Sequence, residues 1–159
     1  MSILLYRVDE RLIHGQVVVG RGSRLHPSRY LVVDDVLAES EWERDLYRLG
    51  LPPGMEVEFV GVSEARTRLA QWRSDPVPSI LLTRDLEAMA RLAEEGGLEG
   101  VEVNLGGIHH APGKEEFLSY LYLGEDDIRG IRLLSKRGVV LTAQDLPGSP
   151  RRVLDKLWR

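Results

Sequence analysis

Residues 7–17 read R-V-D-E-R-L-I-H-G-Q-V, placing two arginines, two acids and a histidine in one short stretch. A neutral imidazole offers a lone pair near physiological pH, and an N–P bond to it keeps enough transfer potential to be passed on, so His14 is a candidate phosphoryl acceptor. A phosphoryl group in transfer spreads negative charge over its oxygens, and its acceptor needs cations and N–H donors close by. Arg11 can grip phosphate bidentately, Arg7 sits on the run leading in, and a helix starting near His14, Gly15 and Gln16 would aim its unsatisfied N–H groups at the same place. Gly15 admits a close backbone approach, and Gln16 adds a neutral donor. Asp9 or Glu10 would fix an arginine or orient an imidazole N–H. The spacing is also that of a capping histidine in a solvated charged loop, or of a general acid or base.

Such a loop has to be carried by regular elements, and short β-rich runs alternate here with longer helical patterns. The strand candidates are 3–8, 30–35, 56–61, 79–83, 101–105, a short 120–123 and 139–143. Helical patterns cover 84–97, where Leu86, Met89, Ala90 and Ala93 share one face, and 125–138, which opens on acids and closes on Lys136 and Arg137 before Gly138. A last short helix is expected from Pro150. Strand-helix alternation predicts an α/β fold, a three-layer α/β/α sandwich whose central sheet is mostly parallel and has about six to seven strands. Ligands of such sheets bind at the carboxyl ends of the strands. Asp9, Glu10, Arg11 and His14 follow the first strand, and Asp34 and Asp35 the second. Thr83, Arg84 and Asp85 follow the fourth, and Asn104, Gly106 and Gly107 the fifth. Arg7, Asp9, Gly15, Gln16 and Arg84 are thus the expected phosphate-binding set around His14 and Arg11, with Asn104, Gly106 and Gly107 as the neighbouring wall.

A chain of 159 residues, 43% of them hydrophobic, is expected to form one domain over 1–159. A net charge of −4, with 21 basic and 25 acidic residues dispersed along the chain, gives no footprint for nucleic acid. The absence of cysteine removes disulfides, thiolate metal sites and cysteine nucleophiles and is compatible with a reducing cytosol. No cationic segment followed by a long apolar one opens the chain, and a cytoplasmic protein is expected.

The remaining features have simpler readings. His109 and His110 are neighbours without further ligands at a metal spacing, so they read as a loop pair that supports docking if it shares the rim with His14. His26 beside Pro27 reads as a surface residue ending the first helix. Asp34 and Asp35 read as a helix cap or rim hydrogen-bonding pair in preference to a magnesium site. Trp42, Trp72 and Trp158 are expected on helices, packed on the core or on a neighbouring subunit. No G-x-S-x-G is present, and G-R-G-S-R-L is only part of a dinucleotide fingerprint, so neither metal nor organic cofactor is expected.

Beyond these residue-level readings, R-V-D-E-R-L-I-H-G-Q-V resembles the signature of the IIB component of the mannose, fructose and sorbose class of the bacterial phosphoenolpyruvate-dependent sugar phosphotransferase system. The likeness continues through VVDD at 32–35, NLGG at 104–107 and EDDIRGIRLLSKRGVVLTAQDLP at 125–147. It implies a phosphocarrier whose His14 takes a phosphoryl group on Nδ1 from a phosphohistidine of a IIA partner, steadied by Arg11. That group then passes to a sugar held by membrane-embedded IIC and IID components, which would keep the carrier at the inner face of the membrane, with a homodimer as the assembly relatives suggest. Family members commonly carry a tryptophan after H-G-Q-V, whereas this chain has Gly20-Arg21-Gly22. A stand-alone regulatory homologue, and a small-molecule enzyme using His14 as general acid or base, are the alternative readings.

Overall fold

The computed structural model describes residues 2–15, 17, 18 and 22–154. Strands β1 (Ile3–Val8), β2 (Arg29–Val33), β3 (Glu56–Val60), β4 (Ser79–Thr83), β5 (Glu102–Leu105), β8 (Val140–Ala143) and β9 (Arg152–Val153) form one sheet, while β6 (Glu115–Leu118) and β7 (Leu121–Leu123) form a separate antiparallel pair. The large sheet has the order β3-β2-β4-β1-β5-β8-β9 and is parallel except for β9. Among the described residues it is connected by the helices α1 (Gly22–Leu25), α2 (Asp35–Ala38), α3 (Glu41–Leu49), α4 (Val62–Ser74), α5 (Leu86–Leu92) and α6 (Glu125–Lys136). This is the α/β architecture that the alternating pattern predicts.

Two-residue periodicity splits each strand between two cores. Leu31, Val33, Leu81, Val103, Leu105 and Leu141 point to the side covered by α4, α5 and α6. Tyr30, Val32, Ile80 and Leu82 point to the other, where Leu12, Ile13, Val17 and Leu37 cover them. Burial on both faces explains why β2 and β4 read as continuous apolar runs. Along β1, β5 and β8 the second face changes character: Arg7, Asn104 and Thr142 stand in register there, all but buried.

Chain punctuation follows capping chemistry. Asp34 caps α2 by accepting from the Leu37 N–H at 3.0 Å, which stops β2 at Val33 and fulfils the cap reading of that residue. Asp85 caps α5 in the same way, through the Ala88 N–H at 2.8 Å. The helix expected over 84–97 ends at Leu92 and continues as a 3-10 turn, with Glu95 and Gly96 both at positive φ. The helix expected from Pro150 is not formed by the described residues. Arg152 and Val153 pair antiparallel with β8, and Leu154 is fully buried with its N–H on the Leu141 carbonyl. A short helix is marginal in water, and an open sheet edge offers both hydrogen bonds and a hydrophobic seat. Residues 155–159, with Trp158, lie outside the described set. Trp72 is buried as expected, but Trp42 is 67% exposed on α3, together with Leu46 and Leu49.

The topology locates the functional rim. From β1 the chain moves to one side for β2, β3 and β4, and then to the other for β5 and β8. Loops therefore diverge at the carboxyl end of β1, leaving the crevice where such sheets bind ligands.

Candidate functional site

The loop after β1 is clamped by both neighbouring strands. The Asp9 N–H donates to the Thr83 carbonyl at 3.0 Å, at the end of β4, and the Glu10 N–H to the Gly107 carbonyl at 3.0 Å, just after β5. Leu12 then takes a positive φ of 56° with its side chain fully buried, closing a turn through its N–H on the Asp9 carbonyl. A non-glycine residue in that region is strained, and here burial in the second core holds it. The chain next turns helical, with the Val17 and Val18 N–H groups on the His14 carbonyl.

Asp9 is the hub, fully buried at the bottom of this loop. Its Oδ2 lies 3.0 Å from Nε2 of His14 and 3.4 Å from Nη2 of Arg7. Its Oδ1 accepts from the Arg11 backbone N–H at 3.1 Å and lies 3.7 Å from Arg11 Nε. The His14 contact is a close ion-pair distance, not a well-directed hydrogen bond, yet it buries Nε2 against the carboxylate. The imidazole is 14% exposed, so the ring presents only an edge to the rim, while the Arg11 side chain is 41% exposed beside it.

Arg7 lies beneath the rim, not on it, which corrects the expectation of a direct phosphate contact. Its side chain is 1% exposed, and its guanidinium is engaged by Asn104 Oδ1, the Gln144 carbonyl at 3.0 Å, the Asp145 carbonyl at 3.2 Å and Asp9. Asn104 is likewise buried, holding Arg7 on one side and donating to Thr142 Oγ1 at 3.0 Å on the other, so it too is a support and not a pocket wall. Gly106 is required by this pair. A Cβ there would sit 2.6 Å from Asp9 Oδ2 and closer still to the Arg7 guanidinium. Gly107 is less constrained, since its Cβ would stand 3.5 Å from Arg11 Nη2, an ordinary contact. Around Gly15 nothing among the described residues approaches a Cβ within 4 Å. Gln16 and Arg21 lie outside the described residues.

Arg84 stands on the same rim, 3.6 Å through Nε from Asp34 Oδ1 and 38% exposed, between two clefts. One, of about 350 Å³, is lined by Glu10, Arg84, Asp85, Ile108, Lys114 and Asp127. The other, of about 470 Å³, has Ile13, Trp42, Leu46 and Tyr47 along its wall. The site around His14 is thus bordered by open clefts. His109 joins the rim, as its position after NLGG suggested: its Nδ1 is 2.8 Å from Glu10 Oε2, and its N–H donates to the same oxygen at 3.0 Å. Sequence reasoning missed the carbonyls of Gln144 and Asp145. Their signal was available, because they directly follow β8, another carboxyl end of a parallel strand.

The electrostatics of Asp9 yield a pH dependence. Burial alone would raise its carboxyl, but the His14 contact, the charges of His14 and Arg7 and the Arg11 N–H outweigh it and hold the group below the usual aspartate value. A carboxyl depressed in the folded state stabilises the fold above its unfolded value, and that contribution is lost as pH falls through the folded one. The Tm advantage of wild type over Asp9→Asn is therefore expected to be constant near neutrality and to shrink below about pH 4. Calorimetry at a series of pH values checks this, and a gap that widens in acid overturns the assignment. Burial pulls Arg7 down from the usual arginine value, with Asp9 opposing. Removing that cation takes from Asp9 its buried counter-charge and from three further acceptors their charged donor. Arg7→Met is expected to lose about 3–5 kcal/mol in urea unfolding, and a loss below about 1 kcal/mol would show that the polar row rearranges freely.

A parallel sheet with a histidine loop at the carboxyl end of its first strand has a counterpart in the IIB domain of the sorbose permease from Klebsiella pneumoniae. The two structures superpose with a TM-score of 0.85 at 29% identity, covering 99% of this chain and 96% of that one. The N-acetylgalactosamine-specific phosphotransferase enzyme IIB component 1 of Escherichia coli (strain K12) is 30% identical over 151 residues, 94% of either chain. The mannose-specific EIIAB component of the same strain is also 30% identical over 151 residues, which are 95% of this chain and 46% of that protein. Residues 3–159 match the family of the sorbose-subfamily IIB component of the phosphotransferase system. The chain belongs to that family, and it is a phosphotransfer subunit of a sugar phosphotransferase system.

Proposed function

We propose that His14 is the phosphoryl acceptor and that Nδ1 is its nucleophilic atom. The observation that carries this reading is the burial of Nε2 3.0 Å from Asp9 Oδ2, which favours the tautomer with its proton on Nε2 and its lone pair on Nδ1. That lone pair attacks the phosphorus of a phosphohistidine on a IIA donor. The new N–P bond forms as the donor's breaks, and the bonding pair returns to the donor imidazole. Arg11 and the amides around Gly15 and Gln16 stabilise the equatorial oxygens, Arg84 contributes a rim cation, and Arg7, Asn104 and Gly106 hold Asp9 from below. In the second step a sugar hydroxyl held by IIC and IID takes the phosphoryl group: its oxygen forms the new bond to phosphorus as the Nδ1–P bond of His14 breaks, the bonding pair returns to Nδ1, and the hydroxyl proton leaves to a base or to water. The reaction class is that of a phosphohistidine–sugar phosphotransferase.

The partner set is supported by the mannose-specific EIIAB relative, whose name joins a IIA and a IIB part in one chain. Among the described residues no helix is long and apolar enough to cross a membrane. The same reading has a single unit over 1–159 at the cytoplasmic face, held there by its membrane partners. A homodimer belongs to the same reading, and sedimentation velocity tests it.

The direct test is incubation with a phosphorylated IIA donor, followed by mapping of a base-stable, acid-labile phosphate by mass spectrometry. Phosphate on His14 is the expected result. Phosphate on another residue overturns the assignment, and no phosphate with several competent donors favours a regulatory binding homologue. Arg11→Ala is expected to slow acceptance by about one to three powers of ten, the loss of one transition-state contact. An unchanged rate removes Arg11 from the site.

A further inference from the structure

The guanidinium of Arg7 bridges two parts of the rim, alongside the backbone bond of the Gln144 N–H to the Leu105 carbonyl at 3.2 Å. On one side it meets Asp9, directly under His14; on the other it donates to the carbonyls of Gln144 and Asp145, the first residues of the loop between β8 and β9. That loop is stapled on itself: Gln144 Nε2 donates to the carbonyls of Pro147 at 3.0 Å and Ser149 at 2.8 Å, and the Ser149 N–H to Leu146 at 2.9 Å. Leu146 is 42% exposed at its surface. The segment is therefore a compact piece of partner-accessible surface, held from below by the buried Arg7 and otherwise by the Gln144 N–H on Leu105 and by Arg24 on the Pro147 carbonyl.

We infer that the 144–149 loop reports the charge state of His14 to partner proteins, with Arg7 as the link. This rests on His14 being the phosphorylated residue. A phosphoryl group adds about two negative charges at the ring, and Arg7 stands one contact behind it, in a buried setting that screens little. Its fork is divided between a carboxylate, an amide oxygen and two neutral carbonyls. Added negative charge strengthens the pull toward Asp9 and His14, and the neutral carbonyl bonds are the weakest of the four. Loading His14 thus loosens the loop. A carrier needs a difference of this kind, because it must leave its donor once loaded and engage its acceptor only then. Couplings between such sites typically change affinity about five- to 150-fold.

Hydrogen exchange on the intact protein, with and without phosphoryl donor, tests the inference, with the phosphate on His14 read by mass in the same sample. Amides of 144–149 are expected to exchange about fivefold faster when His14 is loaded, those of α4 to stay unchanged, and His14→Ala to show no response to donor. Phosphate on His14 with an unaltered loop overturns the inference and leaves the proposed function standing. Absence of phosphate on His14 overturns the proposed function, and the inference with it. In Arg7→Lys, a point charge cannot hold both carbonyls and Asp9; the loop should exchange fast before loading and gain nothing after it. A wild-type response in that variant removes Arg7 as the link, and if the variant does not fold the wild-type comparison decides alone.

Discussion

With His14 replaced by alanine, incubation with a phosphorylated donor is expected to leave the protein unlabelled, with acceptance lower by on the order of 10⁴-fold or more. The size follows from losing the nucleophile itself and not an auxiliary contact, since the amides, Arg11 and Arg84 can steady a phosphoryl group but cannot accept one. Another imidazole on the rim, that of His109, is held by Glu10 through Nδ1, and it is 61% exposed without a buried carboxylate to set its tautomer. Stability is expected to fall by only about 1–2 kcal/mol, because Asp9 keeps Arg7 and the Arg11 N–H after losing one charge-assisted contact. A stopped-flow or quenched labelling assay paired with urea unfolding separates the two effects. Labelling at the wild-type rate would move the acceptor elsewhere, with His109 next to be replaced.

The Asp9→Asn variant is expected to fold and still accept phosphate about 10² to 10⁴ times more slowly, with the upper figure the loss seen when a carboxylate that holds an imidazole in one tautomer is replaced by its amide. The amide matches the carboxylate in shape but offers His14 both a donor and an acceptor, so the proton no longer belongs on Nε2 and the lone pair is no longer kept on Nδ1. Because Asp9 is fully buried, the donor cannot touch it. The half-saturating donor concentration should therefore hardly change while the rate collapses, whereas Glu10→Gln, on the surface of the adjacent cleft, should alter donor affinity more than rate. Equal rates for Asp9→Asn and wild type would mean that Asp9 supports the loop without governing the ring.

Much of the framework is visible in one dimension. Continuous apolar runs such as SILLT at 79–83 report a strand buried on both faces, and the acids opening 125–138 with Gly138 behind them report a helix, because both patterns arise from neighbours in the chain. The rule that ligands gather at carboxyl ends of parallel strands then directs attention to Asp9, Arg11, His14 and Arg84 without knowledge of strand order. Local pattern is weaker at 150–154, where a helix-like start is overruled by an open sheet edge and by the burial of Leu154.

Residue chemistry along the chain was enough to establish an α/β sheet, a histidine loop after its first strand and the cations in reach of it. Which acid faces the ring was left open by that chemistry, and its expectation that Arg7 meets the ligand is corrected by the fold. Arg7 shows why: its partners Asn104 and Gln144 are 97 and 137 positions away in sequence. They meet it only because β5 and β8 lie on one side of β1 while β4 closes the other. Strand order is a property of how several faces bury one another together, so it leaves no periodic trace. It turns an arginine that reads as a phosphate ligand into the buried cation beneath Asp9.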